Sequence, residues 1–94
     1  FSRIGDAPER CLHCEVVPAD DLADWRFGPV SDLLRPTPGW EGGDLPMRPS
    51  IMGTAWDRLH ELRDPALFTE NGQVYMTYCG GAESGLGIAR VDGL

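Results

Sequence analysis

The sequence predicts an all-β chain whose clearest part is a three-stranded antiparallel meander near its C-terminal end. Three observations carry this. Residues 73–79 place Val74, Met76 and Tyr78 on one side of a strand and Tyr75, Thr77 and Cys79 on the other. Asn71-Gly72 separates that run from the short apolar run Pro65-Ala66-Leu67-Phe68, and Asn-Gly tolerates positive φ at successive positions, as a tight hairpin requires. Gly80-Gly81-Ala82-Glu83-Ser84-Gly85 forms a second turn before a third strand, 86–91. Both faces of the central strand are largely apolar, which suits a strand covered on two sides.

The first section, 1–34, carries Cys11-Leu12-His13-Cys14-Glu15-Val16-Val17, read as one extended strand ended by Pro18. Asp20, Asp21, Asp24 and Trp25 follow as an acidic turn, and Val30 to Leu34 forms a second strand between Pro29 and Pro36. The middle section, 35–62, is a connecting loop. Pro36, Pro38, Pro46 and Pro49, with Gly39, Gly42, Gly43 and Gly53, exclude continuous strand or helix up to Ser50. Trp40, Leu45, Met47 and Ile51 are costly to leave in water, so the loop is expected to pack on a surface. Thr54 to Leu62 reads equally as one short helix capped by Thr54 or as an irregular connector. The third section, 63–94, is the meander.

Composition bounds the function classes. The chain has 94 residues, 41 % of them hydrophobic and 24 % charged, as in a globular protein. Eight arginines, no lysine and fifteen acidic residues give a net charge of −7, a surface that repels phosphate backbones, so no nucleic-acid partner is expected. No apolar run approaches the roughly 20 residues that span a bilayer, and the opening residues carry no apolar leader core, so no membrane partner is expected. Three cysteines, an odd count, point away from a disulfide framework and toward a reducing, cytoplasmic setting. Cys11 and His13 fall on one face of a strand and Cys14 on the other, so no metal site is assigned, and no cofactor is expected.

A meander with two apolar faces has to be covered on both, and radial packing of such sheets is how propellers do it. Arg63-Asp64-Pro65-Ala66-Leu67-Phe68 followed by Asn71-Gly72-Gln73-Val74-Tyr75-Met76-Thr77-Tyr78 resembles the blade opening of the five-bladed β-propeller glycosidases, the arabinanase, β-xylosidase, invertase and levansucrase groups. Gly81-Ala82-Glu83-Ser84-Gly85-Leu86-Gly87-Ile88-Ala89 looks like the second turn and third strand of a last blade. Trp40-Glu41-Gly42-Gly43-Asp44-Leu45-Pro46 is similar to a connecting loop of glycosidase-like members. The resemblance covers residues 25–91, with its core at 63–91. It implies that 63–94 is the terminal blade and 1–34 part of the preceding one. Five blades need more chain than this, at about 40–50 residues each. The expectation is therefore a C-terminal fragment of a propeller acting on or binding a glycan, incomplete as a catalyst alone.

Glycoside hydrolysis generally needs two carboxylates, one protonated and one ionised. The resemblance places the first strand of each blade along the central funnel, so Asp64, just before such a strand, is the acid best placed to meet substrate. Adjacent Arg63 is expected to reach the same site. Glu83, in a glycine-rich turn, and His60, near the blade entrance, are further candidates for substrate binding, each weighed against an ordinary surface role. Trp40 is the aromatic candidate, Tyr75 and Tyr78 being assigned to packing. Asp44, beside two glycines, reads as a loop-ordering acceptor. No residue is assigned as catalytic. The expected partners are a carbohydrate and either missing N-terminal blades or other copies of the chain, since exposed apolar faces promote association. A non-catalytic binding or scaffold propeller and a small self-associating all-β domain are the alternatives.

Overall fold

A computed structural model describes residues 1–93; Leu94, the last residue of the expected terminal section, lies outside them. Among the described residues the chain is all-β apart from a single 3₁₀ turn. Strands β1 (Cys11–His13), β2 (Val16–Val17), β3 (Arg26–Phe27) and β4 (Ser31–Leu34) precede β5 (Leu62–Glu70), β6 (Gln73–Gly80) and β7 (Gly85–Val91). Pairing is antiparallel throughout: β1 with β4, β2 with β3, and β5-β6-β7 as a sheet. No helix among the described residues is long and apolar enough to cross a membrane.

The first section is one bent hairpin. The strand expected over 11–17 breaks at Cys14 and Glu15, and the Glu15 carbonyl instead accepts from Gly28 N–H at 2.9 Å. That bond sets β2 against β3, a two-residue strand too short to show as an alternating run. At the tip, Asp21 Oδ1 accepts from Ala23 N–H at 3.0 Å and caps the 3₁₀ turn Leu22–Asp24. Trp25 Nε1–H closes the tip onto the Ala19 carbonyl at 3.0 Å.

The meander forms as the alternation predicts, with β5 beginning three residues earlier, at Leu62. Asn71 and Gly72 turn the chain at φ values of 51° and 74°. One face of the sheet carries Met76 and Tyr78, which join Cys11 and Leu62 in the core, with Leu33, Leu34, Ala89 and Val91 around them. The hairpin covers this face. The other face stays open. Phe68 stacks on Tyr75 there with ring centroids 5.2 Å apart, and Ile88 and Leu86, in register with Thr77 and Cys79, are 61 % and 75 % exposed. Two covered faces were expected; these 93 residues supply one cover.

No helix forms over Thr54 to Leu62, so this stretch is the irregular connector. The loop packs at its start and not at its middle. Trp40 lays one side of its ring on Tyr78 with centroids 5.9 Å apart while staying 46 % exposed, and Leu45 is half-buried, whereas Met47 and Ile51 remain exposed without such a contact. Trp40 lies on a floor of glycines: a Cβ added at Gly80, Gly85 or Gly87 would come within 2.7 Å of its ring. Beside it, buried Glu41 accepts from Tyr78 O–H at 2.6 Å and from Thr37 N–H and Oγ1–H at 2.9 and 2.8 Å. Burial acts to raise the Glu41 pKa, but the Tyr78 and Thr37 hydrogen bonds outweigh it and hold the carboxyl below its usual range. Burial and the Glu41 carboxylate push the Tyr78 phenol upward, so it stays a donor.

Because Glu41 is depressed in the folded state, its contribution is present above the unfolded carboxylate pKa, about 4.3, and is lost as pH falls through the folded value. Tyr78→Phe is expected to lower stability at pH 7 by about 1–3 kcal/mol and to flatten the loss of stability below about pH 4, as read by urea titration across pH. Gly87→Ala is expected to cost about 1–3 kcal/mol in the same assay, because Trp40 and Tyr78 both stand where its methyl would go.

Candidate functional site

The loop between the hairpin and the meander folds around a pocket of about 410 Å³, whose lining includes Arg48, Ile51, Trp56, Asp57, His60 and Arg63. Its back wall is an ion cluster built where β5 begins. Arg63, 7 % exposed, donates from Nε and Nη2 to Glu61 Oε1 at 3.0 and 2.7 Å. Its Nη1 and Nη2 also donate to the main-chain carbonyls of Gly53 and Ile51, at 2.7 and 3.2 Å. Glu9, equally buried, stands with Oε2 at 3.8 Å from Arg63 Nε and accepts from Ser2 Oγ at 2.7 Å through Oε1. Burial works to lower the Arg63 pKa; the bonds to Glu61 and the charges of Glu61, Glu9 and Glu83 overcome this and raise it. Arg63 therefore stays charged, bound to the protein's own groups.

The sides of the pocket are fixed by single bonds. His60 Nδ1 lies 3.0 Å from the Leu45 carbonyl. A carbonyl only accepts, so Nδ1 carries the proton, and Nε2 of the neutral ring is left as an acceptor. Glu83 Oε2 accepts from Ala55 N–H at 2.7 Å and ties the rim to the β6–β7 turn. That turn holds Gly81 and Ala82 at φ 59° and 60°, with Ala82 fully buried and its N–H donating to the Glu61 carbonyl at 3.1 Å. Ser50 accepts from Gly5 N–H at 2.9 Å through its side chain and donates its own N–H to Asp6 at 3.1 Å.

The sequence candidates divide accordingly. His60 and Arg63 reach the pocket, and Glu83 secures its rim. Asp64 is exposed at a bulge between Arg63 and Ala66, at φ 54°, a conformation unfavourable for a non-glycine residue. The Arg63 side chain bonds Glu61 rather than reaching out beside Asp64. Burial, then the charges of Asp64 and Glu83, raise the pKa of Cys79, the residue opposite Arg63 in the β5–β6 register. Trp40 lies apart, stacked on Tyr78. Asp44 accepts from Gly39 N–H at 3.2 Å, and this bond, first among its causes, lowers its pKa.

Trp56, 91 % exposed on the pocket, is the aromatic that sequence reasoning passed over. The available signal was its position in a stretch with no alternating pattern to bury it.

No family model and no solved structure matches the chain. It is similar to an uncharacterized protein of Acanthamoeba polyphaga mimivirus, 38 % identical over 91 residues. The match takes in 96 % of this chain and 26 % of the relative, so the chain spans about a quarter of that protein's length.

Arg63→Met would leave Glu61 and Glu9 buried without their cation. It is expected to destabilise the protein by about 3–5 kcal/mol, read by chemical denaturation, whereas a loss below about 1 kcal/mol would mean the cluster is not load-carrying for the fold.

Proposed function

We propose that this chain is a section of a glycosidase-like β-propeller and contributes a glycan-binding site, the pocket of the 46–63 loop. The observation that carries this is Trp56, almost wholly exposed beside the polar groups of Arg48, Asp57 and His60. An exposed aromatic ring gives a sugar ring an apolar platform, and fixed polar groups beside it select hydroxyl positions. His60 Nε2 and the Asp57 carboxylate accept hydroxyl hydrogens there; the Arg48 guanidinium donates.

The propeller part has two supports. The open face of β5-β6-β7 calls for a second layer. The matched 91 residues are 26 % of the mimivirus relative, which makes it about 350 residues long, room for five blades of about 40–50 residues. Binding stands ahead of catalysis within this section. Glu61 is neutralised by Arg63, and Glu83 is committed to Ala55, which leaves no pair of free carboxylates in the pocket. Asp64, exposed at the bulge, lies off the pocket lining, so Asp57 is the acid that meets a bound sugar in this reading.

The test is a calorimetric titration with neutral xylo- and arabino-oligosaccharides. Trp56→Ala is expected to weaken binding about tenfold or more, about 1.4 kcal/mol, while Trp40→Ala acts mainly on stability. Binding that survives Trp56→Ala unchanged, or no binding to either sugar series, would sink the assignment.

A further inference from the structure

A second cavity shares no lining residue with the first. It is a groove of about 780 Å³ between the hairpin and the outer end of the sheet, with Phe1, Leu12, Val16 and Val30 on one side and Leu67 and Met76 on the other. Along its hairpin wall runs the free edge of β1. Leu12 already uses that edge: its N–H donates to the Phe1 carbonyl at 2.7 Å, and its carbonyl accepts from Phe1 N at 3.1 Å. A residue pair that exchanges both main-chain bonds is the repeating unit of an antiparallel ladder. The next position on the same edge is Cys14, and no main-chain hydrogen bond reaches it among the described residues.

We propose that this groove seats a strand of the same polypeptide, the stretch leading into Phe1, paired antiparallel with β1 as a third strand of the β1–β4 sheet. Phe1 sets the register. Two residues back from Phe1 faces Cys14, donates to the Cys14 carbonyl and accepts its N–H. Residues opposite one another share a face, so the side chain at that position stands on the same face as Phe1, Leu12 and Cys14, all three on the groove lining beside His13 and Glu15. From Leu12 to Cys14, ahead of the break at Glu15, the edge runs about 7 Å at roughly 3.4 Å per residue, enough for two or three residues. The proposal rests on the part of the reading above in which the chain is one section of a longer polypeptide, as the length of the mimivirus relative supports, and not on glycan binding.

Amide exchange on the full polypeptide of the source gene tests it. The Cys14 amide is expected to exchange roughly tenfold or more slowly there than in the 94-residue chain. A proline two positions before Phe1 removes one of the two bonds to Cys14 and sets its ring against the Cys14 carbonyl, and is expected to cut that protection, whereas a proline one position before Phe1, whose N–H points away from β1, leaves it. Equal exchange in the two chains, indifference to the first proline, or a gene with no codons ahead of Phe1 overturns the proposal. Protection that rises with protein concentration also overturns it, by placing a second copy in the groove. Oligosaccharide titration of the same samples keeps the two readings apart: sugar binding that persists when Cys14 is unprotected overturns the strand alone.

Discussion

The guanidinium of Arg63 is where three sections of the chain meet. It holds Glu61 at the start of β5, stands against Glu9 from the first section, and binds the carbonyls of Ile51 and Gly53 in the loop. A planar fork with five donors can do this; a lysine ammonium, compact and strongly hydrated, is poorly suited to it. The arrangement carries an electrostatic cost. Two buried carboxylates share one cation, and Glu9 Oε2 lacks a hydrogen-bond partner. What the cost secures is position, since residues 51–63 contain no helix or strand before Leu62 and otherwise have little to fix them. The pocket exists because its back wall is charged and buried while its mouth is left to Trp56, Arg48 and Asp57.

The meander shows the opposite economy. Its covered face is set by small residues as much as by large ones. Gly80, Gly85 and Gly87 make the flat bed on which the Trp40 ring lies, and Tyr78 reaches past it to Glu41. Its open face, with Phe68, Leu86 and Ile88, carries apolar area that water penalises and nothing in residues 1–93 offsets. Groove and open face lie at two different surfaces of the same small sheet system. Together they leave two apolar surfaces uncovered among the described residues.

The third section was the most legible in the sequence, because period-2 alternation and an Asn-Gly turn are local signals. Its strands and faces follow from the residues alone. The hairpin was half legible: its outer strands show as apolar runs, but the break at Cys14 depends on the Glu15–Gly28 bond, a contact across thirteen residues that no local pattern encodes. The loop was legible only as a loop. Proline and glycine exclude regular structure without saying which residues turn inward, and so the stacking of Trp40 on Tyr78 and the exposure of Trp56 were not legible. Trp40 precedes a glycine pair and packs; Trp56 follows Gly53 and does not. Of the candidate residues, His60 and Arg63 were named for their proximity to the blade-like strand, and both lie on the pocket lining. Arg63's commitment to Glu61 and Glu9 could not be read, because the Glu9 contact spans more than fifty residues.

The arginines give a further reason to place binding at the 46–63 loop. In a chain with fifteen acidic residues and no lysine, seven of the eight arginines hold internal partners: acids for Arg3, Arg10, Arg35, Arg63 and Arg90, and main-chain carbonyls for Arg26 and Arg58. Arg48 alone has neither among the described residues, and it lines the pocket. In so acidic a protein a surface arginine has many acids to pair with, so one without such a partner among the described residues, between Pro46 and Pro49, is a group open to a ligand. The long-range field of the chain, at −7, works against anions at that mouth, while hydroxyl groups pay no such penalty. On the reading proposed above, a neutral sugar would meet the guanidinium, the imidazole and the indole face together without the repulsion that a phosphate or a nucleic acid would encounter.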